Sequence, residues 1–253
     1  MKINRRRFIA ATLIPALSGS LMARAAFGQM VPAWPDAATD LTGTLQAAID
    51  GARDTGHLAL PAGRFSTRGL RLPSGFMLTG VPGATQLVHL GSGAGGEVWH
   101  GGLVHFADCE NVTIRDCVVS NTALNGITLM KSSGRVENCR VSGSDYTGLF
   151  VYDAAGVSIE GNTIAECGNG GIRVWRGEAG ADGTIISGNR ISGIDWTDGG
   201  NGQNGNGINI FRADEVIVSG NHISECAFSA IRLNATNNTQ ITGNTCLGSG
   251  EVA

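Results

Sequence analysis

Arg173 and Arg232, with Asp195 and Asp198, are the side chains of this sequence best suited to chemistry on an acidic sugar. A guanidinium presents a planar fork of N–H donors that matches the two oxygens of a carboxylate. Near them in the repeat pattern set out below stand Tyr152, Trp175, Trp196 and Phe211, whose flat rings can stack on the apolar face of a sugar, and Asn209, which can both donate and accept. An inverting glycosidase needs two carboxyl groups flanking a water, and Asp195, Asp198 and Glu178 are the grouped candidates. A polysaccharide lyase instead needs a base for the proton α to a uronate carboxylate, and a cation to offset charge.

These residues are placed by an internal repeat. From residue 111 the chain can be written as stacked coils opening at Val112, Val136, Val157, Thr184, Val216 and Ile241. Each coil up to the one that opens at Val216 carries a second short strand, such as Gly148-Leu149-Phe150-Val151 or Gly171-Ile172-Arg173-Val174. Val119 to Ile127, Val141 to Leu149, Ile164 to Ile172 and Ile223 to Ile231 are all eight residues apart. Strands this short, alternating with period two and punctuated by Gly-Asn turns, cannot bury an apolar face alone. Stacked as a solenoid they bury one continuous ladder of Ile, Val and Leu. The expected fold is therefore all-β: a right-handed, single-stranded parallel β-helix. Asn at the turn tolerates left-handed geometry and can bond its equivalents above and below.

The same register sets the outward residues. With the aliphatic pair of each second strand facing in, two ladders face out: Thr128, Phe150, Arg173, Asn209 and Arg232, and beside them Met130, Tyr152, Trp175, Phe211 and Asn234. Exposed aromatics alternating with arginines predict a binding surface. Two insertions support it. Ile191 to Ile208 is 17 residues where eight are usual, an excess of nine, and Val174 to Thr184 is ten where Val151 to Val157 is six, an excess of four. They are expected to wall a groove floored by Arg173, Trp175, Asn209 and Phe211, since insertions on one solenoid face mark its binding side.

Residues 39–56 read as a helix, with Leu45, Ala48, Ile49 and Ala52 on one face and Gly56 at the stop. With Leu60-Pro61-Ala62-Gly63-Arg64-Phe65 behind it, this stretch resembles the N-terminal entry of the pectate-lyase-like superfamily, where a short helix caps the β-helix. That resemblance implies Arg173 or Arg232 as the base of a lyase, with Asp195 and Asp198 helping to hold Ca2+. The polygalacturonase pattern of paired aspartates, Gly-His-Gly and Arg-x-Lys is missing, however, and so are the pectate-lyase motifs. If the chain is an enzyme, it is a polysaccharide lyase or a glycoside hydrolase. At its other end the chain stops at Ala253, just where the next second strand is expected, so the sequence reads as truncated.

The first 25 residues read as a removable export signal. Asn4-Arg5-Arg6-Arg7-Phe8-Ile9 resembles the twin-arginine motif, an apolar run from Phe8 to Leu21 is too short to span a bilayer, and Ala23-Arg24-Ala25 suits a signal peptidase. The expected partner is the twin-arginine export machinery, engaged through Arg5 and Arg6, and the expected destination is the periplasm or medium. Residues 26–38 are then a linker and 39–253 the β-helix. Five of the 18 basic residues fall in the signal and none of the 21 acids, which leaves 13 − 21 = −8 for the mature chain. Nucleic acid and anionic membrane surfaces are excluded as partners on that charge. Among the six cysteines, Cys117 and Cys139 fall at the turn position of Asn162 and are expected as stacked thiols. Cys167 and Cys226 lie two coils apart, roughly 10 Å, too far to bridge.

Gly161-Asn162-Thr163-Ile164, Gly188-Asn189-Arg190-Ile191, Gly220-Asn221-His222-Ile223 and Gly243-Asn244-Thr245-Cys246 also resemble the coils of a twin-arginine-exported repeat family of unknown function, regarded as a cofactor-binding repeat. That resemblance implies a non-enzymatic binding or scaffold protein and names no cofactor. Carbohydrate binding, with or without cleavage, and this alternative are the two expectations.

Overall fold

Apolar strands of three to six residues can be buried only against their own kind in the next coil, and the chain winds accordingly. The computed structural model of the chain describes residues 39–91, 101–196 and 200–251. The expected signal peptide and linker, and Asp198, lie outside the described residues. The described chain forms three parallel sheets of eight, eight and seven strands, each strand pairing with its equivalents one coil away. The expected parallel β-helix is what is found.

Three inward rows make the core. Ile114, Val136, Ile159, Ile186 and Val218 line the first sheet, Val119, Val141, Ile164, Ile191 and Ile223 the second, and Ile127, Leu149, Ile172 and Ile208 the third. Each is at most 1% exposed. Every such side chain contributes about 1.5–3 kcal/mol by leaving water.

The turns divide the labour between their two residues, and the asparagines bond their equivalents as expected. The left-handed residue is the glycine before the asparagine: Gly161, Gly188, Gly220 and Gly243 have φ between 63° and 66°. Asparagine supplies the hydrogen bonds instead. Asn189 Oδ1 accepts from the backbone and side-chain N–H groups of Asn162 at 2.9 and 3.0 Å, and Asn221 Oδ1 accepts likewise from Asn189 at 2.9 Å. Each Nδ2 donates to a carbonyl one coil back, at Val136, Ile159, Ile186 or Val218, all at 2.9 Å. The ladder spans coils of 23, 27, 32 and 23 residues, so excesses of four and nine are absorbed without breaking it. All six cysteines are free thiols, Cys117 and Cys139 among them.

The predicted helix is found over Thr42–Gly51, with Leu45 and Ile49 buried, and Gly56 closes the following turn at φ 65°. Gln46 clasps the first strand of the third sheet, Leu70–Arg71. Its Nε2 donates to the Arg71 carbonyl at 3.0 Å and its Oε1 accepts the Arg71 N–H at 3.1 Å. The edge that would otherwise be bare is thus hydrogen-bonded by the helix.

Candidate functional site

The outward residues of the third sheet stand in the ladders expected. His105, Thr128, Phe150, Arg173, Asn209 and Arg232 are successive register partners, as are Met130, Tyr152, Trp175, Phe211 and Asn234. Rungs follow one another at about 4.8 Å. Their exposure differs from the expectation: Thr128, Phe150, Arg173 and Asn209 are at most 2% exposed and Trp175 only 8%. The rings pack on one another, Phe150 to Tyr152 at 5.9 Å, Phe150 to Trp175 at 5.8 Å and Trp175 to Phe211 at 5.9 Å, which makes a second small core outside the sheet.

Arg173 and Asn209 are covered by the first insertion, whose described residues 200–205 do not stand as a wall but lie across these rungs. Asn209 Nδ2 donates to the Gly202 carbonyl at 3.1 Å, and Arg173 Nη2 donates to Gln203 O at 2.9 Å and Asn204 Oδ1 at 3.0 Å. At Gly200, with φ 87°, the approach is close enough to require glycine. A Cβ on Gly202 would lie 2.8 Å from Arg232 Nη2, and one on Gly200 would lie 2.5 Å from Phe228 Cβ. The glycine content of residues 199–206 was the available signal for this close approach.

Arg173 is the unusual group. Its guanidinium carbon lies 4.7 Å from the Tyr146 ring centroid and 4.8 Å from that of Trp175. Nη2 also donates to Asn169, yet Nε and Nη1 are buried with no hydrogen-bond partner among the described residues, and no carboxylate there forms an ion pair with it. Burial pushes the guanidinium pKa down, opposed by Tyr146. Thr128 Oγ1, Thr147 Oγ1, Asn169 Nδ2 and Asn206 Oδ1 are likewise buried and unpartnered along the same strands. Trp175 is fixed by its Nε1 donating to Asn209 Oδ1 at 3.0 Å. Here a desolvated cation and several free polar atoms lie beside an aromatic cluster, an arrangement suited to holding a polar, anionic group.

The other expected residues are more dispersed. Arg232 is two rungs from Arg173, pairs with Glu251 at 3.4 Å and stacks on Phe228. Asp195 is exposed, and its Oδ1 accepts the backbone N–H of half-buried Trp196 at 2.7 Å. The second insertion prolongs the strand Gly170–Ala181 through a bulge after Trp175, tied down by Arg176 to Asp182 at 3.7 Å, and Glu178 stands exposed on it. Among the described residues no three His, Cys, Asp or Glu gather as a metal-ligand group.

Sequence reasoning missed the early end of this face. There a cavity of about 520 Å³ is lined by Arg68, Arg71, His89, His105, Asn125 and Met130, among others. Arg71 pairs in register with His105, so the outer ladder begins two rungs before Thr128. Carrying the repeat alignment back beyond residue 111 would have found it.

A family model described as a right handed beta helix region matches residues 125–251. Among solved structures, the mannuronan C-5 epimerase A-module of Azotobacter vinelandii is 19% identical over 85% of this chain and 74% of that one, with a TM-score of 0.54. The DFA-IIIase of Arthrobacter chlorophenolicus A6, solved with DFA-III, is 15% identical over 84% of this chain, with a TM-score of 0.59. The enzymatically active domain of bacteriophage CBA120 tailspike protein 2 is 13% identical over 85% of this chain, with a TM-score of 0.56. The chain spans 60% of the second and 40% of the third, and at such identities the likeness is one of fold. With the coils, the inward rows and the matched half of its length in agreement, the chain belongs to the right-handed β-helix family.

Proposed function

We propose that the chain is exported already folded by the twin-arginine route and, in the periplasm, binds a carbohydrate on the outer face of the third sheet. One observation carries this reading: Arg173 is held between two aromatic rings with two unpartnered guanidinium nitrogens and no carboxylate beside it among the described residues. A sugar carboxylate would satisfy the fork, and Trp175, Tyr152 and Phe211 would take the ring faces. Arg173 and Asn209 donate to the covering loop, and a ligand carboxylate can accept from them in its place. The fold neighbour named as a mannuronan epimerase supports a sugar ligand.

Cleavage would use Arg173 or Arg232 as base, and the lowered pKa of Arg173 is in the direction a base needs. For calcium, the described residues offer Asp195 alone of the expected pair. That donor set falls short of the six to eight oxygens the ion takes, and no step is assigned to it. The alternative is membership of the twin-arginine-exported repeat family, with a cofactor loaded before export. It is favoured by the way residues 200–205 close over the ladder, as they would over a cargo acquired during folding.

The test is retention on acidic polysaccharide gels of the mature chain against a variant carrying Arg173→Ala and Trp175→Ala. Loss of retention with an unchanged circular dichroism spectrum is expected. Unchanged retention removes this face from the function. Excess mass in native mass spectrometry of the protein from its own periplasm would favour the cofactor instead.

A further inference from the structure

The cavity at the early coils is built of residues that the sugar site does not use. Its floor is the outer face of the third sheet, where Arg71 and His105 stand on adjacent rungs. Its rim carries Arg68 and His89. A Cβ on Gly91 would lie 3.3 Å from Arg68 Nη1 and 3.9 Å from His89 Cε1, so the two side chains converge over that glycine. Two arginines and two histidines line the space, and among the described residues no aspartate or glutamate does. In a chain with a formal charge of −3 this is a local reversal of sign.

Two of these groups are also without partners. Arg68 is already engaged, since its Nε donates to Asp40 Oδ2 at 2.9 Å. The Arg71 guanidinium, by contrast, has neither a hydrogen bond nor an ion pair among the described residues; its neighbour Gln46 bonds only its backbone. His89 Nδ1 is buried and likewise unpartnered. A space of about 520 Å³ is of the size that small ligands occupy.

We infer that this cavity is a binding site for the anionic group of a small molecule, a carboxylate or a phosphate ester, received by Arg71 with His89 and His105 beside it. Arg71 supplies a planar donor fork, and the imidazoles add N–H donors at its flank. Among the described residues the lining itself carries no acid, and the Asp40 carboxylate beside it is paired with Arg68. The site stands apart from the proposed sugar face around Arg173 and does not rest on it.

Titration calorimetry on the purified chain, with glucuronate, inorganic phosphate and uncharged glucose as probes, tests this. Saturable binding of glucuronate or phosphate is expected, with no heat from glucose. Tighter binding of glucuronate identifies a sugar acid as the natural class, and tighter binding of phosphate identifies a phosphate ester; either supports the site. Arg71→Gln and His105→Gln should each weaken binding on the order of tenfold. Arg135→Gln, an exposed arginine on the first sheet, should not. The Arg71 side chain has no hydrogen bond or ion pair among the described residues, so that variant should melt as the parent does. The inference is overturned if neither anion saturates, if glucose binds as well as glucuronate, or if Arg71→Gln binds as tightly as the parent.

Discussion

A buried guanidinium loses several kcal/mol of hydration, and Arg173 recovers part of it from its surroundings. Two stacked rings contribute about 0.5–2 kcal/mol each and the charge-assisted bonds to Gln203 and Asn204 about 1.5–3 kcal/mol each. The thiols show the same burial acting on the opposite charge. Desolvation pushes Cys139 up to about 12 and Cys167 and Cys226 to about 11. The thiolate, which is the reactive form, is therefore scarce at neutral pH. With a maleimide reagent at pH 7, half-buried Cys246 is expected to react first and the others only after denaturant, as mass spectrometry of timed samples would read. The ladder positions of Arg173 and Trp175 were legible because strand period fixes the face on which a side chain stands. Their burial was not, because nothing local in Asn201–Gly205 says which surface that loop will cover. Its glycines only announce that some backbone comes close.

Strands and turns carry a different part of the account. The core rows were readable from the eight-residue spacing, whereas the split of roles within Gly-Asn was not. Both residues tolerate left-handed geometry, and only the stacking of coils decides that the side-chain amide is needed for bonding. Asn189 sits mid-ladder, bonded to Asn162, Ile159 and Asn221. Asn189→Ala is expected to cost about 1–3 kcal/mol in urea unfolding, because buried partners on both sides lose their bonds. The entry helix adds a pH-dependent contact. Asp40 is lowered from 3.8 to about 2, first by hydrogen bonds from Thr42 and then by Arg68. A depressed carboxyl stabilises the fold above its ordinary range, and the contribution fades as pH falls from about 4 towards 2. Melting temperatures of Asp40→Asn should accordingly depend less on pH across that interval than those of the parent.

For the molecule as a whole, the proposed export and the open ends of the solenoid are the governing terms. Replacing Arg5 and Arg6 by lysine preserves charge yet removes the motif, and the chain is expected to remain in the cytoplasm on cell fractionation. A solenoid of parallel strands is also a template. Any strand at its end offers the same N–H and C=O pattern that each inner strand already recognises, and identical molecules can add to one another on that pattern. At the early end of the third sheet that invitation is withdrawn by one side chain. The Gln46 amide, donor and acceptor at once, occupies both groups of Arg71 as a neighbouring peptide unit would, while its helix ends the row. Gln46 thus takes, at this edge, the two hydrogen bonds that a further strand would use.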